Sequence, residues 1–429
     1  MWVWGNRADY DQWAAMGNPG WSADEVFGLL ARAERFDDHS SSIRGHHGPI
    51  EVRSLDTPTP AARAFVRAAA EIGFDAPLHD YNGGRQDGFG FFYQTTRSAY
   101  NLRSSSADGY LRPALKRRNV ELEVEAHVTR IVIEHGRAVA VEWTQHGYSY
   151  RTEVGCEVIL SAGAFESPKL LMLSGIGPAA QLRSHGIDVL ADLPGVGANL
   201  QDHLFAPVCF QSNVEPPAGA LLSEAGLFTS TDADPYSRTP TLQFTFGGVK
   251  FAPQGTPDSD LAGPGITFAP IGLKPESRGR VQLRGNDPRV PAIVRGNYLS
   301  TDRDINVLVE GVRLAQELAH TSAMRGIVGK ALTAGPMDNP NDLKQYVRVN
   351  ATTLWHPVGT CRMGPDRQAV VDAALCVHGV TGLRVADASV MPDIVAANTN
   401  AASIMIGEKC AALVLESTAL TSAQEVMTS

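Results

Sequence analysis

The chain has 429 residues, of which 43% are hydrophobic and 19% are charged. This composition excludes a disordered protein, and the length predicts two or three domains. The formal net charge of −9 and the lack of any lysine- or arginine-rich run exclude non-specific binding to nucleic acid or to an anionic membrane. No apolar stretch approaches the length of a membrane span, and we expect no signal peptide, because charged and turn residues lie within the first seven positions.

The cysteines and histidines predict neither a disulfide framework nor a metal site. The five cysteines are far apart and form no C-x-x-C pair. We therefore expect small buried thiols in a reducing, cytoplasmic setting. His46 and His47 have no thiol or carboxylate at ligand spacing, so no metal is predicted.

The amino-terminal third contains two clear helix patterns. Ser22 and Glu25 form a capping-box pattern in front of an apolar run, which predicts a helix start. An alanine-rich helix is predicted over 61–72, and Gly73 is expected to end it.

A hairpin and a strand–turn–helix unit follow. Residues 119–143 predict a β-hairpin or meander with a turn at His135-Gly136. A short buried strand is predicted over 157–161, and then a helix with Ser167 as its N-cap and Pro168 as its first residue. A buried strand, a glycine turn and a capped helix are typical of the crevice of a doubly wound sheet.

The composition changes after residue 204. Residues 205–290 are rich in Pro, Gly, Ser and Thr and alternate in polarity, which predicts an antiparallel sheet. A long helix with one apolar face is predicted over 302–320. We therefore predict a second domain over 205–340, and a first domain formed by 1–204 together with 341–429.

The carboxyl-terminal module combines a strand and a helix. The predicted strand over 382–387 ends in Asp387, and Asn398-Thr399-Asn400 opens an amphipathic helix. The amino-terminal end of such a helix carries a partial positive charge and favours anions.

Two long motifs resemble the glucose–methanol–choline (GMC) oxidoreductase family. The stretch GAFESPKLLMLSGIG at 163–177 is similar to the second family signature, and WHPVGTCRMG at 355–364 to its active-site region. Further blocks match at 5–33, 197–203, 274–281, 382–392 and 398–400. The resemblance covers nearly the whole chain and is strongest to the choline dehydrogenase-like branch, in which the second active-site position is more often Asn than His.

One part of the family pattern is not found. The family opens with a β-strand and a G-x-G-x-x-G turn that seat the FAD pyrophosphate on a helix N-terminus. The related pattern Gly195-Val196-Gly197 lacks the third glycine, and Met1 matches a position just after the family's flavin-contacting loop. The resemblance implies a mixed α/β fold: a doubly wound FAD-binding domain, incomplete at its amino terminus, and an antiparallel-sheet substrate domain.

The resemblance assigns the catalytic roles to His356 and Asn398. His356 matches the family's base, and a neutral histidine suits this role because its ordinary pKa lies near the operating pH. Asn398 matches the second active-site residue, which hydrogen-bonds the substrate oxygen. The alternatives are a hydrogen-bonded core histidine and a helix N-cap.

The resemblance also assigns FAD contacts to a set of residues outside the catalytic pair. These are Val128, Ala162, Gly163, Asp387, Ala388, Thr399 and Asn400. The alternatives are an inward strand residue for Val128, tight packing for Ala162 and Gly163, an ordinary strand-end turn for Asp387 and Ala388, and a cap for Asn400. We expect His203 and His378 to be structural.

The implied function is FAD-dependent oxidation of a primary or secondary alcohol. A hydride moves to flavin N5, and oxygen or a quinone-type redox partner accepts the electrons. One alternative is an inactive or partner-dependent fragment that does not bind FAD alone, because unpaired neighbouring strands would be exposed. Another is a lyase on the same scaffold.

Overall fold

The computed structural model describes residues 1–76, 80–332 and 339–428, and for 418–428 the backbone only. The helices are α1 (Arg7–Ala15), α2 (Ala23–Ala33), α3 (Pro60–Glu71), α4 (Arg112–Ala114), α5 (Gly163–Leu173), α6 (Ala179–Ser184), α7 (Asp258–Leu261), α8 (Asp302–Ala319), α9 (Pro340–Asn350) and α10 (Thr399–Thr428). Among these residues, no helix combines the length and apolar character needed to cross a membrane.

The strands are short and lie in several sheets. They are β1 (Glu34–Phe36), β2 (Ile50–Arg53), β3 (Gly90–Phe92), β4 (Thr95–Thr96), β5 (His127–Glu134), β6 (Arg137–Gln145), β7 (Tyr148–Glu153), β8 (Val158–Leu160), β9 (Ile176–Gly177), β10 (Ala191–Asp192), β11 (Leu204–Phe205), β12 (Val208–Ser212), β13 (Ala225–Thr229), β14 (Leu242–Gly247), β15 (Gly265–Gly272), β16 (Arg280–Gln282), β17 (Ile293–Arg295), β18 (Val328–Ala331), β19 (Thr352–Thr353) and β20 (Leu383–Val385).

The central layer is an eight-stranded antiparallel sheet. Its main path is β18-β12-β15-β14-β13-β3, and β11 joins β15 to β19. Successive side chains of a strand point to opposite faces, so Phe228 enters one hydrophobic core while Leu227 enters the other. Both faces of the sheet are therefore covered, and each fully buried large side chain contributes roughly 1.5–3 kcal/mol.

The two cores are built from different parts of the chain. The first core contains residues of α1, α2, β20 and α10. The second contains residues of α3, α8 and α9, which cover the other face of the sheet. The sheet includes β3 and β19, which lie outside residues 205–340. Residues 333–338, near the predicted domain boundary, lie outside the described residues. The predicted domain division therefore stays a prediction.

A parallel strand pair forms the part of the fold that was predicted as doubly wound. Strand β8 pairs with β20 in parallel, with Val158 opposite Leu383 and Leu160 opposite Val385. The hairpin of β5 and β6 continues antiparallel into β7. The predicted mixed α/β class with an antiparallel sheet is confirmed.

Most predicted helices and strands are confirmed, and one boundary is wrong. Helix α5 begins at Gly163, so Ser167 lies inside it and is not its N-cap. Pro168 lacks the N–H that would bond to the Ala164 carbonyl one turn earlier. The Thr360 hydroxyl donates to that carbonyl instead, at 2.6 Å. This contact lets the proline stay within the helix and ties α5 to the segment that carries His356.

The cysteines are unpaired, and two of them depart from the expected burial. Cys209, Cys361 and Cys410 are buried, whereas Cys376 is half-buried and Cys156 is exposed. Cys156 lies in the loop between β7 and β8. Within the described ranges, no group of three or more acidic, histidine or cysteine side chains has metal-binding geometry.

Candidate active site

His356 lies on a segment that runs antiparallel to the 200–204 region. Val358 and Gln201 exchange backbone hydrogen bonds of 2.9 and 3.1 Å. Trp355 has a φ of 60°, a left-handed conformation that is uncommon for a bulky residue and often occurs at functional sites. The chain keeps its direction across this residue, since Thr353 pairs with Leu204 before it and Val358 pairs with Gln201 after it, both antiparallel.

The Asp202 carboxylate holds the backbone at His356. Its Oδ1 accepts the His356 backbone N–H at 2.9 Å. Its Oδ2 accepts the hydroxyls of Tyr298 at 2.7 Å and Thr353 at 2.5 Å. Asp202 is 5% exposed, and these three donors satisfy its buried charge. This hydrogen bond fixes the backbone from which the His356 side chain extends.

The His356 ring lies between Asn398 and a second histidine. His356 Nε2 is 3.4 Å from Asn398 Nδ2, and His356 Nδ1 is 3.0 Å from His203 Nδ1. Asn398 Oδ1 accepts from Gln243 Nε2 at 3.3 Å. The structure thus brings the two predicted catalytic residues together.

The hydrogen bonds of Asn398 favour a role in the site over a helix cap. Its amide oxygen and nitrogen are directed to Gln243 and His356, and among the described residues no backbone N–H of α10 is bonded to this side chain. Asn398 is 7% exposed, whereas Asn400 lies exposed in the first turn of α10.

Burial keeps both histidines neutral at physiological pH. Burial, followed by the positive charge of the Met1 amino group, lowers the pKa of His356 to about 4. Burial, followed by the charges of His356 and Lys274, lowers the pKa of His203 well below its ordinary value. The deprotonated form that a general base requires is therefore the resting form.

His356 and Asn398 open onto a cavity of about 540 Å³. Its lining includes seven apolar residues: Phe205, Leu221, Leu222, Phe251, Ala269, Leu354 and Trp355. Arg97 and Arg103 also line it, and neither forms an ion pair or a side-chain hydrogen bond with any described residue. No carboxylate is among the described residues that line the cavity.

A second cluster lies at the carboxyl ends of β8 and β20. Asp387 Oδ2 accepts the Gly163 backbone N–H at 2.9 Å and the Ser167 hydroxyl at 2.5 Å. Its Oδ1 accepts the Ser389 backbone N–H at 2.7 Å. Asp387 therefore ties the turn after β8 to the turn after β20. Crevices at the carboxyl ends of parallel strands are where α/β sheets bind ligands.

The predicted FAD residues of this cluster fit a large ligand. Ala162 is exposed, Ala388 is half-buried, and Gly163 has a φ of 82° with open space where a side chain would begin. A backbone N–H of Gly359 donates to the Ala388 carbonyl, so the cluster is joined directly to the His356 segment. The exposed residue Ala162 and the open space beside Gly163 would admit a flavin nucleotide.

The remaining predicted FAD residues lie on other elements. Thr399 and Asn400 begin α10, so their end of the helix carries partial positive charge. Val128 lies on β5 and is 38% exposed, so it is not an inward strand residue. The FAD contacts of all seven residues stay predictions.

Three functional candidates were missed by the sequence reasoning. Gln243, in β14, and His203 are fully buried, and Asp202 is nearly so. The block 197–203 matched the family as a motif, but nothing in its spacing shows that 202 and 203 face His356. The sequence signal that could have indicated them is three consecutive polar residues, Gln201 to His203, next to a buried strand.

Comparison with known proteins decides the family. Residues 1–205 and 275–407 match the amino- and carboxyl-terminal GMC oxidoreductase models. The chain belongs to the GMC oxidoreductase family. This GMC oxidoreductase is 38% identical to the oxygen-dependent choline dehydrogenase of Rhizobium rhizogenes, over 96% of this chain and 78% of the relative.

Other relatives are oxidoreductases as well. An alcohol dehydrogenase of Pseudomonas putida is 35% identical, over 97% of this chain and 79% of the relative. The crystal structure of pyridoxine 4-oxidase from Mesorbium loti has a TM-score of 0.89 and 29% identity, covering 96% of this chain and 81% of that chain. A formate oxidase of Aspergillus oryzae, studied for its FAD modification, has a TM-score of 0.88 and 26% identity, with the same coverage.

Proposed function

We propose that this GMC oxidoreductase uses FAD to oxidise a small-molecule alcohol, with His356 as the base. One observation carries the proposal: a half-buried, neutral imidazole faces a cavity with its Nε2 3.4 Å from the Asn398 amide. A base and a hydrogen-bond donor at one point are what removal of a hydroxyl proton requires.

FAD, when bound, supplies the hydride acceptor, and the chain's own residues handle the proton. His356 takes the hydroxyl proton at Nε2. The Asn398 amide N–H lies beside Nε2, where it can donate to the substrate oxygen as negative charge develops. Gln243 donates to Asn398 Oδ1, and this contact keeps the amide nitrogen turned toward His356.

The proposed FAD contacts divide into two groups. Ala162, Gly163, Asp387 and Ala388 form the first, at the carboxyl ends of β8 and β20. The second group is Thr399 and Asn400 at the positive end of α10, together with Val128 on β5. We propose oxygen or a quinone-type partner as the electron acceptor.

The direct test is titration of the purified protein with FAD, followed by anaerobic addition of an alcohol panel. Bound flavin that is bleached by an alcohol supports the proposal, and oxygen uptake against quinone reduction then identifies the acceptor. Absence of a flavin band would overturn the proposal for the isolated chain.

A specific observation favours the partner-dependent alternative. Ile159 of β8 is 46% exposed and Phe165 of α5 is 37% exposed, although strands of a doubly wound sheet are ordinarily covered on both faces. The FAD titration is therefore repeated with an amino-terminal segment of a related GMC oxidoreductase. Flavin binding only in its presence supports this alternative.

The activity of the FAD-loaded enzyme is expected to persist to unusually low pH. His356 has a pKa of about 4, so its neutral form dominates above pH 5 and disappears below pH 4. We expect kcat/KM to be flat from pH 7 to pH 5 and to fall below about pH 4, because this parameter reports pKa values of the free enzyme.

The control for this profile is stability at each pH. The lowered pKa values mean that the unfolded chain binds protons more readily, so stability decreases as the pH falls below about 6.5. Assays are therefore run well below the unfolding temperature measured at the same pH. An acid limb near pH 6.5 in folded enzyme would contradict a neutral base with a pKa of about 4.

Choline is expected to be a poor substrate, despite the names of the relatives. The cavity presents two arginines and no carboxylate among its described lining residues. Two unit charges about 8 Å apart repel by roughly 2 kcal/mol at an effective dielectric constant near 20, which corresponds to about thirty-fold. We expect 3,3-dimethyl-1-butanol, the uncharged isostere of choline, to show a kcat/KM at least tenfold higher. A higher value for choline would disprove this expectation.

A further inference from the structure

A continuous chain of hydrogen bonds runs through the site from one buried strand to the next. Gln243 Nε2 is 3.3 Å from Asn398 Oδ1, and Asn398 Nδ2 is 3.4 Å from His356 Nε2. His356 Nδ1 is 3.0 Å from His203 Nδ1, and His203 Nε2 is 2.9 Å from the Leu273 carbonyl. The far end of this chain is a backbone oxygen, which fixes the direction of every donor before it.

The proton positions follow from that carbonyl. A carbonyl oxygen only accepts hydrogen bonds, so His203 Nε2 must carry its proton. A neutral imidazole has one protonated nitrogen, and His203 Nδ1 is therefore an acceptor. His356 Nδ1 must then be the donor across the 3.0 Å contact. The same neutral-ring rule leaves His356 Nε2 without a proton, with its lone pair directed toward Asn398.

The surroundings of His203 hold it in the neutral state. The side chain is 0% exposed. The titratable groups that act on it are His356 and Lys274, and both disfavour an imidazolium. The adjacent Asp202 carboxylate is already bonded to Tyr298, Thr353 and the His356 backbone. No described carboxylate hydrogen-bonds the His203 ring, so its neutral form is favoured.

We propose that His203 is a positioning residue that fixes His356 in the tautomer protonated at Nδ1. The base then presents its lone pair to the substrate without a prior tautomer change. After proton uptake at Nε2, the His356 imidazolium keeps donating from Nδ1 to His203, which disperses part of its charge. The arrangement resembles the carboxylate of a hydrolase triad in purpose, with a neutral ring as the acceptor.

The ordinary alternative is that His203 only fills a buried space. That role predicts a loss of stability on substitution and no change in the protonation of His356. The two roles are separated by ¹⁵N NMR of the histidine-labelled protein, because protonated and unprotonated ring nitrogens have widely separated shifts. The wild-type His356 signals, assigned with His356→Gln, should show an unprotonated Nε2 at pH 7.

Three variants sharpen the test. His203→Leu removes the acceptor, and His203→Gln places an amide near Nε2 but none near Nδ1. His203→Asn places an oxygen close to the original Nδ1 position and should restore the acceptor. We expect His203→Leu and His203→Gln to shift His356 toward the tautomer protonated at Nε2, and His203→Asn to retain the wild-type signals. Thermal unfolding shows which variants are folded.

The kinetic consequence rests on the proposed function, whereas the NMR result does not. In the FAD-loaded enzyme, His203→Leu and His203→Gln are expected to lower the rate of flavin reduction roughly 10- to 10³-fold, less than the loss of the base itself, because general bases contribute about 10²- to 10⁴-fold. His203→Asn should recover most of that rate. A protonated Nε2 in the wild type, or unchanged His356 signals in folded His203→Leu, would overturn the inference. Wild-type signals as expected without turnover of any alcohol would instead count against the proposed function.

Discussion

Replacing His356 with glutamine is expected to lower the rate of flavin reduction in the FAD-loaded enzyme by about 10²- to 10⁴-fold. General bases contribute rate factors of that size. Glutamine fills much of the same space and places an amide near the Nε2 position, but an amide does not take up a proton at neutral pH. Rapid-mixing measurement of flavin bleaching under anaerobic conditions reports this step directly.

His378 offers the matched control for this substitution. It is a second half-buried histidine, and its Nε2 is 3.0 Å from the Gly364 carbonyl. We expect His378→Gln to keep the rate of flavin reduction within about twofold. FAD affinity should be unchanged in both variants, because neither side chain is among the proposed flavin contacts. A His356→Gln enzyme with wild-type flavin reduction would remove His356 from the base role.

The proposed catalytic pair could be predicted because each of its residues lies in a short sequence motif. His356 is fixed by a ten-residue motif, and Asn398 stands at the start of a helix whose apolar stripe is visible in the sequence. The resemblance to the GMC family and the mixed α/β class followed from such motifs, and both are confirmed. The pairing of the two residues at 3.4 Å needed the fold, because 42 positions separate them.

The supporting residues were not predictable because their roles depend on long-range contacts. Gln243 looks like one polar position of an alternating strand, yet its face of the sheet is covered by the first core. His203 is followed by a buried strand, which favours the interpretation of a packed core residue. Its proposed role follows only from its hydrogen bonds to the Leu273 carbonyl and the His356 ring.

The predicted start of helix α5 at Pro168 was wrong for a related physical reason. Proline at the first turn of a helix is a sound local prediction. The structure overrides it with a contact 196 positions distant, in which the Thr360 hydroxyl satisfies the carbonyl that the proline leaves without a donor. Local propensity sets a helix boundary only where no tertiary contact offers a partner of this kind.

Replacing Arg44 with methionine is expected to destabilise the folded protein by about 3–5 kcal/mol, because it leaves the Glu34 carboxylate buried without its cation. The Arg44 and Glu34 side chains are both fully buried, with Nε to Oε1 at 2.7 Å. Arg44 also bonds to Asp80 and Gln94, and its guanidinium lies 3.9 Å from the centre of the Phe36 ring. Methionine keeps the length and much of the packing, so the loss is mainly electrostatic.

The neighbouring strand β1 supplies the control, since Arg35 pairs with Glu51 at 3.5 Å with side chains that are 53% and 31% exposed. Surface pairs contribute about 0–1 kcal/mol, so Arg35→Met should shift the urea midpoint only slightly. Glu34 also accepts the indole N–H groups of Trp2 and Trp4. The double variant Glu34→Gln/Arg44→Met should therefore recover part of the stability, because a neutral amide oxygen keeps an acceptor for the indoles without a buried charge. Equal midpoints for Arg44→Met and Arg35→Met would show that the buried pair adds nothing beyond a surface one.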